Sequence, residues 1–332
     1  MAVFFVHSQL YYGCWLDKVN DFIHPFYVNS FFFVSGYLLF RKQLSSPIIE
    51  EGVLQYVIGG GKNMANNILF RIVIPSILFS MIEFIPKNIL KGQGFEMIDC
   101  IWQTIGGRTY WFTSALVVAQ IILLVILLSR CRSMWVYWVS SLCIFVIGIF
   151  MVDKKMNLLG LSYDPWQFKH GLYAIPFLTA GGLYWKYEDT IKKYMNKLII
   201  VLMIIVYITL FASFAKDLRV LVSMLDVNLT GYMSGCFASV LLIEVCKYLP
   251  KIELLTYIGR NSICFYFMSG ALPIVIGLAM NHIIGKPTWF GAICVWLVSM
   301  SIAYIVTLFI NTFIPWILDL RKMKMRNNCM TM

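Results

Sequence analysis

The chain has 332 residues, 60% of them hydrophobic and 13% charged, with a mean hydropathy of +0.77. A soluble domain carries roughly 25% charged residues, so this composition excludes an ordinary soluble fold and implies a polytopic membrane protein. The net charge of +11 does not imply nucleic acid, because the basic residues sit in short segments between apolar runs, where the positive-inside rule accounts for them.

The apolar stretches are long and continuous rather than short and alternating, so helices are expected and a barrel is not. No long polar block interrupts the chain. The expectation is an all-α polytopic membrane bundle of about ten transmembrane helices, forming one integral membrane domain over residues 1–332. The spans are expected at about 1–11, 24–40, 68–86, 110–129, 134–151, 170–185, 197–214, 229–246, 256–279 and 290–318. Spanning the hydrocarbon takes roughly 20 residues. The first span falls short, since the six residues before His7 rise only about 9 Å as a helix. The expectation there is a truncated first helix: either it enters the membrane partway, or the start of the chain has been lost or misassigned upstream.

If each span crosses once from a cytoplasmic N-terminus, seventeen of the 27 Lys and Arg residues fall inside. That asymmetry places both termini in the cytoplasm of a multi-pass inner-membrane protein. Aromatic residues cluster at the proposed interfaces, among them Tyr11, Tyr12, Trp15, Tyr110 and Trp111. The lipid bilayer is therefore the first partner; the oligomeric state is left open.

The largest inner loop is expected at about 41–67, and it holds Gly59-Gly60-Gly61-Lys62. A phosphate loop fails there on spacing, because Tyr56 takes the first glycine position and Asn63 replaces the Ser/Thr after Lys. A flexible loop is the expected form. Nine cysteines are scattered with no C-x-x-C pair, so neither a disulfide framework nor a metal site is expected.

An ionisable side chain within a membrane segment is costly and marks a candidate site. Of four histidines, His7 lies in an apolar run and is followed by Ser8 and Gln9. By the topology above it sits near the outer end of its helix. A neutral imidazole there can take a proton from an acceptor hydroxyl, or it can simply bond a loop carbonyl. His24 precedes Pro25 at the start of the second span, at a cap or a wet interface. Arg71 stands at the inner end of the third span, where it either snorkels to the headgroups or binds phosphate. Glu83, near the outer end of the same span, either orients a catalytic histidine or is an interfacial carboxylate. Ser35-Gly36 ends the second span in small residues that allow close helix approach. Tyr110-Trp111 opens the fourth span. Gly259-Arg260-Asn261-Ser262 enters a late span from inside, either as an anion site or as an ordinary cap.

Taken together these motifs resemble membrane acyltransferase family 3, the bacterial polytopic O-acyltransferases. Val3-Phe4-Phe5-Val6-His7-Ser8 is similar to the end of that family's first helix. Phe31-Phe32-Phe33-Val34-Ser35-Gly36-Tyr37 resembles its FF-x-x-SGY signature, and Phe70-Arg71 through Pro75 its Arg-x-x-x-Pro region. Tyr110-Trp111-Phe112 and Ile258-Gly259-Arg260-Asn261-Ser262 resemble two further elements. The family's first helix carries an Arg eleven residues before the His, a position that would precede Met1.

The resemblance implies transfer of an acyl group, usually acetyl, from cytoplasmic acyl-CoA to a hydroxyl of a surface glycan. Acyl-CoA would be a donor substrate, with no permanently bound cofactor and no metal. On that reading His7, Arg71 and Glu83 are the catalytic candidates, and Ser8, His24, Ser35, Tyr110, Trp111, Arg260, Asn261 and Ser262 the substrate-binding ones. A glycan or lipid-linked-intermediate transporter and a non-catalytic partner in polysaccharide assembly are the competing readings.

Overall fold

The computed structural model describes residues 1–44, 53–91, 96–128, 133–156, 164–214, 222, 225, 228–284 and 287–321. Regular structure among them is helical throughout. In chain order the helices are α1 (Ala2–Tyr12), α2 (Asp17–Tyr27), α3 (Asn29–Leu44), α4 (Val53–Ile68) and α5 (Ile74–Lys91). Then come α6 (Met97–Thr104), α7 (Trp111–Leu128), α8 (Met134–Asp153), α9 (Phe168–Tyr194) and α10 (Lys197–Phe214). Last are α11 (Leu229–Tyr248), α12 (Glu253–Arg260), α13 (Ser262–Ile284) and α14 (Trp289–Phe313). A π-helical turn, Leu69–Val73, joins α4 to α5.

Among the described residues, six stretches of helix are long and apolar enough to cross a membrane: Asp17–Leu44, Gly61–Phe84, Met134–Asp153, Leu229–Tyr248, Ser262–Ile283 and Trp289–Phe313. The Pro165–Tyr194 and Lys197–Leu210 pieces also qualify together, joined by a bend of 115°, and Trp111–Leu127 is a shorter apolar helix. The expected spans fall on helical segments, with 24–40 divided between α2 and α3 and 256–279 between α12 and α13. By length and composition six of the described helices, or seven counting the bent pair, could cross, fewer than the ten expected. The chain is an integral membrane protein. The rings of exposed Val, Ile, Leu and Phe on α8, α10 and α14 fit lipid, where such residues belong. α1 has 11 residues, about 16 Å of helix at 1.5 Å per residue.

The expected loop at 41–67 is in part a helix. Gly59–Lys62 lie within α4, which runs on into the span Gly61–Phe84. Met64 and Ile68 on its last turns are buried. Their burial outweighs the weak helix propensity of three glycines. Residues 45–52 of the same stretch lie outside those described.

The chain divides into two compact units. The first comprises Met1–Asn20, Ile68–Tyr110 and Pro250–Met332. Its core joins Phe4 of α1, Phe79 of α5, Phe265, Phe267 and Met268 of α13, Met300 and Ile310 of α14, and Leu318. Phe79 stacks on Phe267 with ring centroids 4.8 Å apart. α1 packs against both α13 and α14. It ends at Gly13, whose left-handed φ of 82° lets its N–H reach back to the Gln9 carbonyl at 3.0 Å. Gln9 and Asn20, both buried, exchange two side-chain hydrogen bonds of 3.1 and 2.7 Å.

The second unit comprises Asp21–Asn67 and Trp111–Leu249. It is built around α3 and α9, which cross backbone against backbone. A Cβ added at Gly36 would overlap the Leu178 carbonyl, and one at Gly181 would overlap the Phe33 carbonyl. Small residues at facing positions permit this approach, which is the physical content of the Ser35-Gly36 pair. Phe33 and Tyr184 flank the crossing with centroids 5.8 Å apart.

Below Tyr184, α3, α9 and α11 share a polar network. Tyr37 donates to Glu188 at 2.6 Å. Lys247 donates to Glu244 at 2.9 Å and to the Tyr184 hydroxyl at 2.8 Å, and it lies 3.4 Å from Glu188. Tyr184 in turn donates to Glu244. Glu244 is buried, and a buried carboxylate requires such partners.

Candidate functional site

The first unit gathers three of the sequence candidates, His7, Glu83 and Tyr110, near one segment of α13. His7 Nδ1 lies 2.7 Å from the Ser269 carbonyl oxygen. A carbonyl can only accept, so in the neutral imidazole Nδ1 carries the proton and Nε2 the lone pair. The helix itself explains why this carbonyl is receptive. Pro273 lies inside α13, four residues beyond Ser269. Proline has no N–H, so the i+4 amide that would bond the Ser269 carbonyl does not exist. His7 supplies a donor in its place.

Tyr11, one turn after His7 on α1, packs edge-on against the imidazole, with centroids 5.8 Å apart and an interplanar angle of 73°. Tyr11 is within electrostatic reach of Glu83. Glu83 in turn hydrogen bonds with the Tyr110 hydroxyl. That hydroxyl also points at the Phe267 carbonyl, 3.2 Å away. Tyr110 packs on Tyr266 and Phe267 at 5.9 and 4.9 Å. Carboxylate, phenol and imidazole therefore border the same stretch of α13, Tyr266–Ser269. Tyr266, Ser269 and Pro273 are additions that the sequence reading did not name as site candidates, and Tyr11 was read only as an interfacial aromatic. Of these only Pro273 carried a signal, a proline inside an apolar span.

Arg71 lies in the π-helical turn. Its Nε donates to Asp319 Oδ2 at 3.1 Å. Arg321 grips the same carboxylate twice, Nε to Oδ1 at 2.8 Å and Nη2 to Oδ2 at 2.7 Å, and its backbone N–H adds a bond of 3.2 Å to Oδ1. The Arg321 side chain and backbone bonds, joined by that from Arg71, hold the Asp319 carboxyl down at about 2 against the opposing effect of burial.

The remaining candidates take other positions. Ser8 is fully buried, and its hydroxyl donates to the Phe4 carbonyl of its own helix at 2.8 Å. Its hydroxyl is thus taken up by the backbone of α1. Asn261 is the joint between α12 and α13. Its amide donates to the Tyr257 carbonyl at 2.9 Å, and its carbonyl oxygen accepts from Asn311 of α14 at 2.9 Å. The Asn261 side chain thus closes the end of α12 and bonds α14, rather than capping the start of α13. Ser262 is half-buried at the first position of α13, and Arg260 ends α12 exposed.

His24, Ser35 and Trp111 belong to the second unit. His24 lies 5.4 Å from the Tyr27 ring. Trp111 lies 5.7 Å from His170, whose Nδ1 is 4.0 Å from Asp164. Ser35 is half-buried beside the Gly36 contact. Among the described residues, no group of three His, Cys, Asp or Glu side chains could hold a metal ion, and the cysteines described are free thiols.

A family model described as "Acyltransferase domain" matches residues 1–316. Comparison with curated proteins and with solved structures gave no match.

Proposed function

This chain belongs to membrane acyltransferase family 3, and from that premise we propose that it moves an acetyl group from cytoplasmic acyl-CoA to a hydroxyl of a cell-surface polysaccharide or its precursor. The observation that supports the reading is the fixed tautomer of His7. With Nδ1 donating to the Ser269 carbonyl, the lone pair of Nε2 is the base. It takes the proton of the acceptor hydroxyl as the oxygen attacks the thioester carbonyl. The tetrahedral intermediate then expels the CoA thiolate, and the imidazolium returns the proton to that sulfur. The Ser269 carbonyl stabilises the imidazolium in between, because it accepts more strongly from a cation than from a neutral ring.

Glu83 adds negative charge on the same side, within reach of Tyr11 and bonded to Tyr110. It favours the imidazolium electrostatically. Arg71 serves the phosphates of the donor. His24, Ser35, Trp111, Arg260 and Ser262 stand as candidate substrate contacts. The chain lies in the inner membrane with both termini in the cytoplasm.

The test uses membranes containing the full chain, labelled acetyl-CoA and a cell-envelope glycan. Label should reach the glycan with the native chain and be lost with His7→Ala. Transfer that survives in His7→Ala overturns the role of His7. No transfer by any form of the chain, while glycan or a lipid-linked intermediate crosses the membrane in its presence, favours the transporter reading.

A further inference from the structure

The first unit ends in a charge arrangement that the proton transfer above does not use. Two guanidinium groups, those of Arg71 and Arg321, meet on the single carboxylate of Asp319. We propose that Arg71 and Arg321 form one clamp for a phosphate or pyrophosphate group of the acyl donor, and that Asp319 is its resident occupant, displaced when the donor binds. This rests on the acyl-CoA reading given above.

Four observations carry it. First, the geometry is that of anion recognition. Arg321 holds Asp319 through two parallel N–H···O bonds of 2.8 and 2.7 Å, the fork that guanidinium offers equally to carboxylate and phosphate. Second, the exposure is inverted relative to a buried structural pair. The Asp319 side chain is 9% exposed, whereas those of Arg71 and Arg321 are 64% and 35% exposed. An anion arriving from water meets guanidinium first. Exposed ion pairs add little to stability, so stability alone is a weak reason to place two arginines here.

Third, Arg71 sits at the centre of the π-helical turn Leu69–Val73. The extra residue in that turn re-aims the side chains it carries, and such turns recur at functional sites. Fourth, the Arg321 guanidinium lies 6.0 Å from the Phe70 ring. A cation over an aromatic face is held in plane without losing its hydrogen-bonding edge. A phosphate carries more charge and more acceptor oxygens than Asp319 offers, so it outcompetes the carboxylate at the clamp while the carboxylate keeps the two arginines in place between turnovers.

The experiment titrates the purified full chain in neutral detergent with CoA by calorimetry, at low salt and pH 7.5. Arg71→Ala and Arg321→Ala should each weaken CoA binding about tenfold or more, and Arg321→Lys should recover part of the loss. Asp319→Asn should tighten binding several-fold, because the competitor is gone. Gel filtration and thermal unfolding of each variant separate lost binding from lost folding. An unchanged Kd in Arg321→Ala overturns the clamp. Weakening in Asp319→Asn comparable to that in the arginine variants overturns the displacement. Inorganic pyrophosphate and nanodiscs containing phosphatidylglycerol serve as competitors. Competition by pyrophosphate supports phosphate recognition, and arginine-dependent competition by the lipid alone overturns the assignment to a donor. Pyrophosphate binding with the same arginine dependence, but no CoA binding, retains the clamp as an anion site and removes the acyl-CoA reading instead.

Discussion

His7 Nδ1 donates to the Ser269 carbonyl at 2.7 Å, and that carbonyl lies four residues before a proline. A missing amide on one helix thereby sets the protonation pattern of a histidine on another. Replacing Pro273 by Ala restores the N–H, which then competes for Ser269. The expected outcome is a several-fold lower kcat for acyl transfer with little change in the KM for acyl-CoA. The pH dependence of kcat should shift as well. Nitrogen NMR of labelled histidine should show the Nδ1–H tautomer of His7 depleted. Unchanged tautomer populations in Pro273→Ala would show that Ser269 holds the ring regardless of the proline.

The Tyr110 hydroxyl has one proton to share between two acceptors, Glu83 and the Phe267 carbonyl. Tyr110→Phe keeps the ring packing and removes one hydroxyl. The partly buried carboxylate loses a hydrogen bond, worth about 1–3 kcal/mol when a charged acceptor is left short. Thermal unfolding in detergent should fall by a few degrees, and Glu83→Gln introduced into the same background should recover part of that loss. A Tyr110→Phe chain as stable as the native one would exclude Glu83 as a dependent partner.

The Asp319 carboxyl is held at about 2, chiefly by its bonds to Arg321. A lowered carboxylate pKa contributes stability that is fully present above the ordinary value of 3.8 and is lost as pH falls towards 2. The stability difference between the native chain and Asp319→Asn should therefore be flat from about pH 5 to 8, shrink progressively below about pH 5 and vanish only at about pH 1, below both values. Unfolding curves at a series of pH values check this. A difference that grows towards acid would reverse the assigned sign.

In the second unit, Lys247 bonds the buried Glu244 and the Tyr184 hydroxyl. Lys247→Met leaves that carboxylate with Tyr184 as its donor and no cation. A cost approaching about 3 kcal/mol is expected, reduced because Lys247 is itself partly exposed. Adding Glu244→Gln should restore most of it. Chemical denaturation of the two variants and their combination forms the cycle that measures the coupling.

The helical architecture was legible because hydrocarbon admits few alternatives, and a run such as 134–151 states its length almost directly, as α8 (Met134–Asp153) shows. His7 and Glu83 drew notice for a related reason: an ionisable group in an apolar run must have a partner. The partner was not legible. Ser269 acts through its backbone oxygen, which every residue has, and nothing about the serine itself marks it. Ser8 drew attention as a neighbour of His7, yet one position along a helix turns a side chain by about 100°, here into the packing of α1. Arg71 was read against lipid or phosphate. Its present partner, Asp319, is 248 positions away in sequence, a separation no local pattern encodes. Gly59–Lys62 were expected in a loop because glycine disfavours helix; burial of Met64 and Ile68 decided otherwise.

The contact of Gly36 with Leu178, and of Gly181 with Phe33, limits how this protein can move. A slip of α3 by one turn would bring Phe32 or Phe40 to the place Gly36 holds against the Leu178 carbonyl. A slip of α9 would bring Phe177 or Trp185 to that of Gly181. Neither ring fits where a single methyl group already overlaps. The two helices cannot ratchet past each other. They travel as one piece.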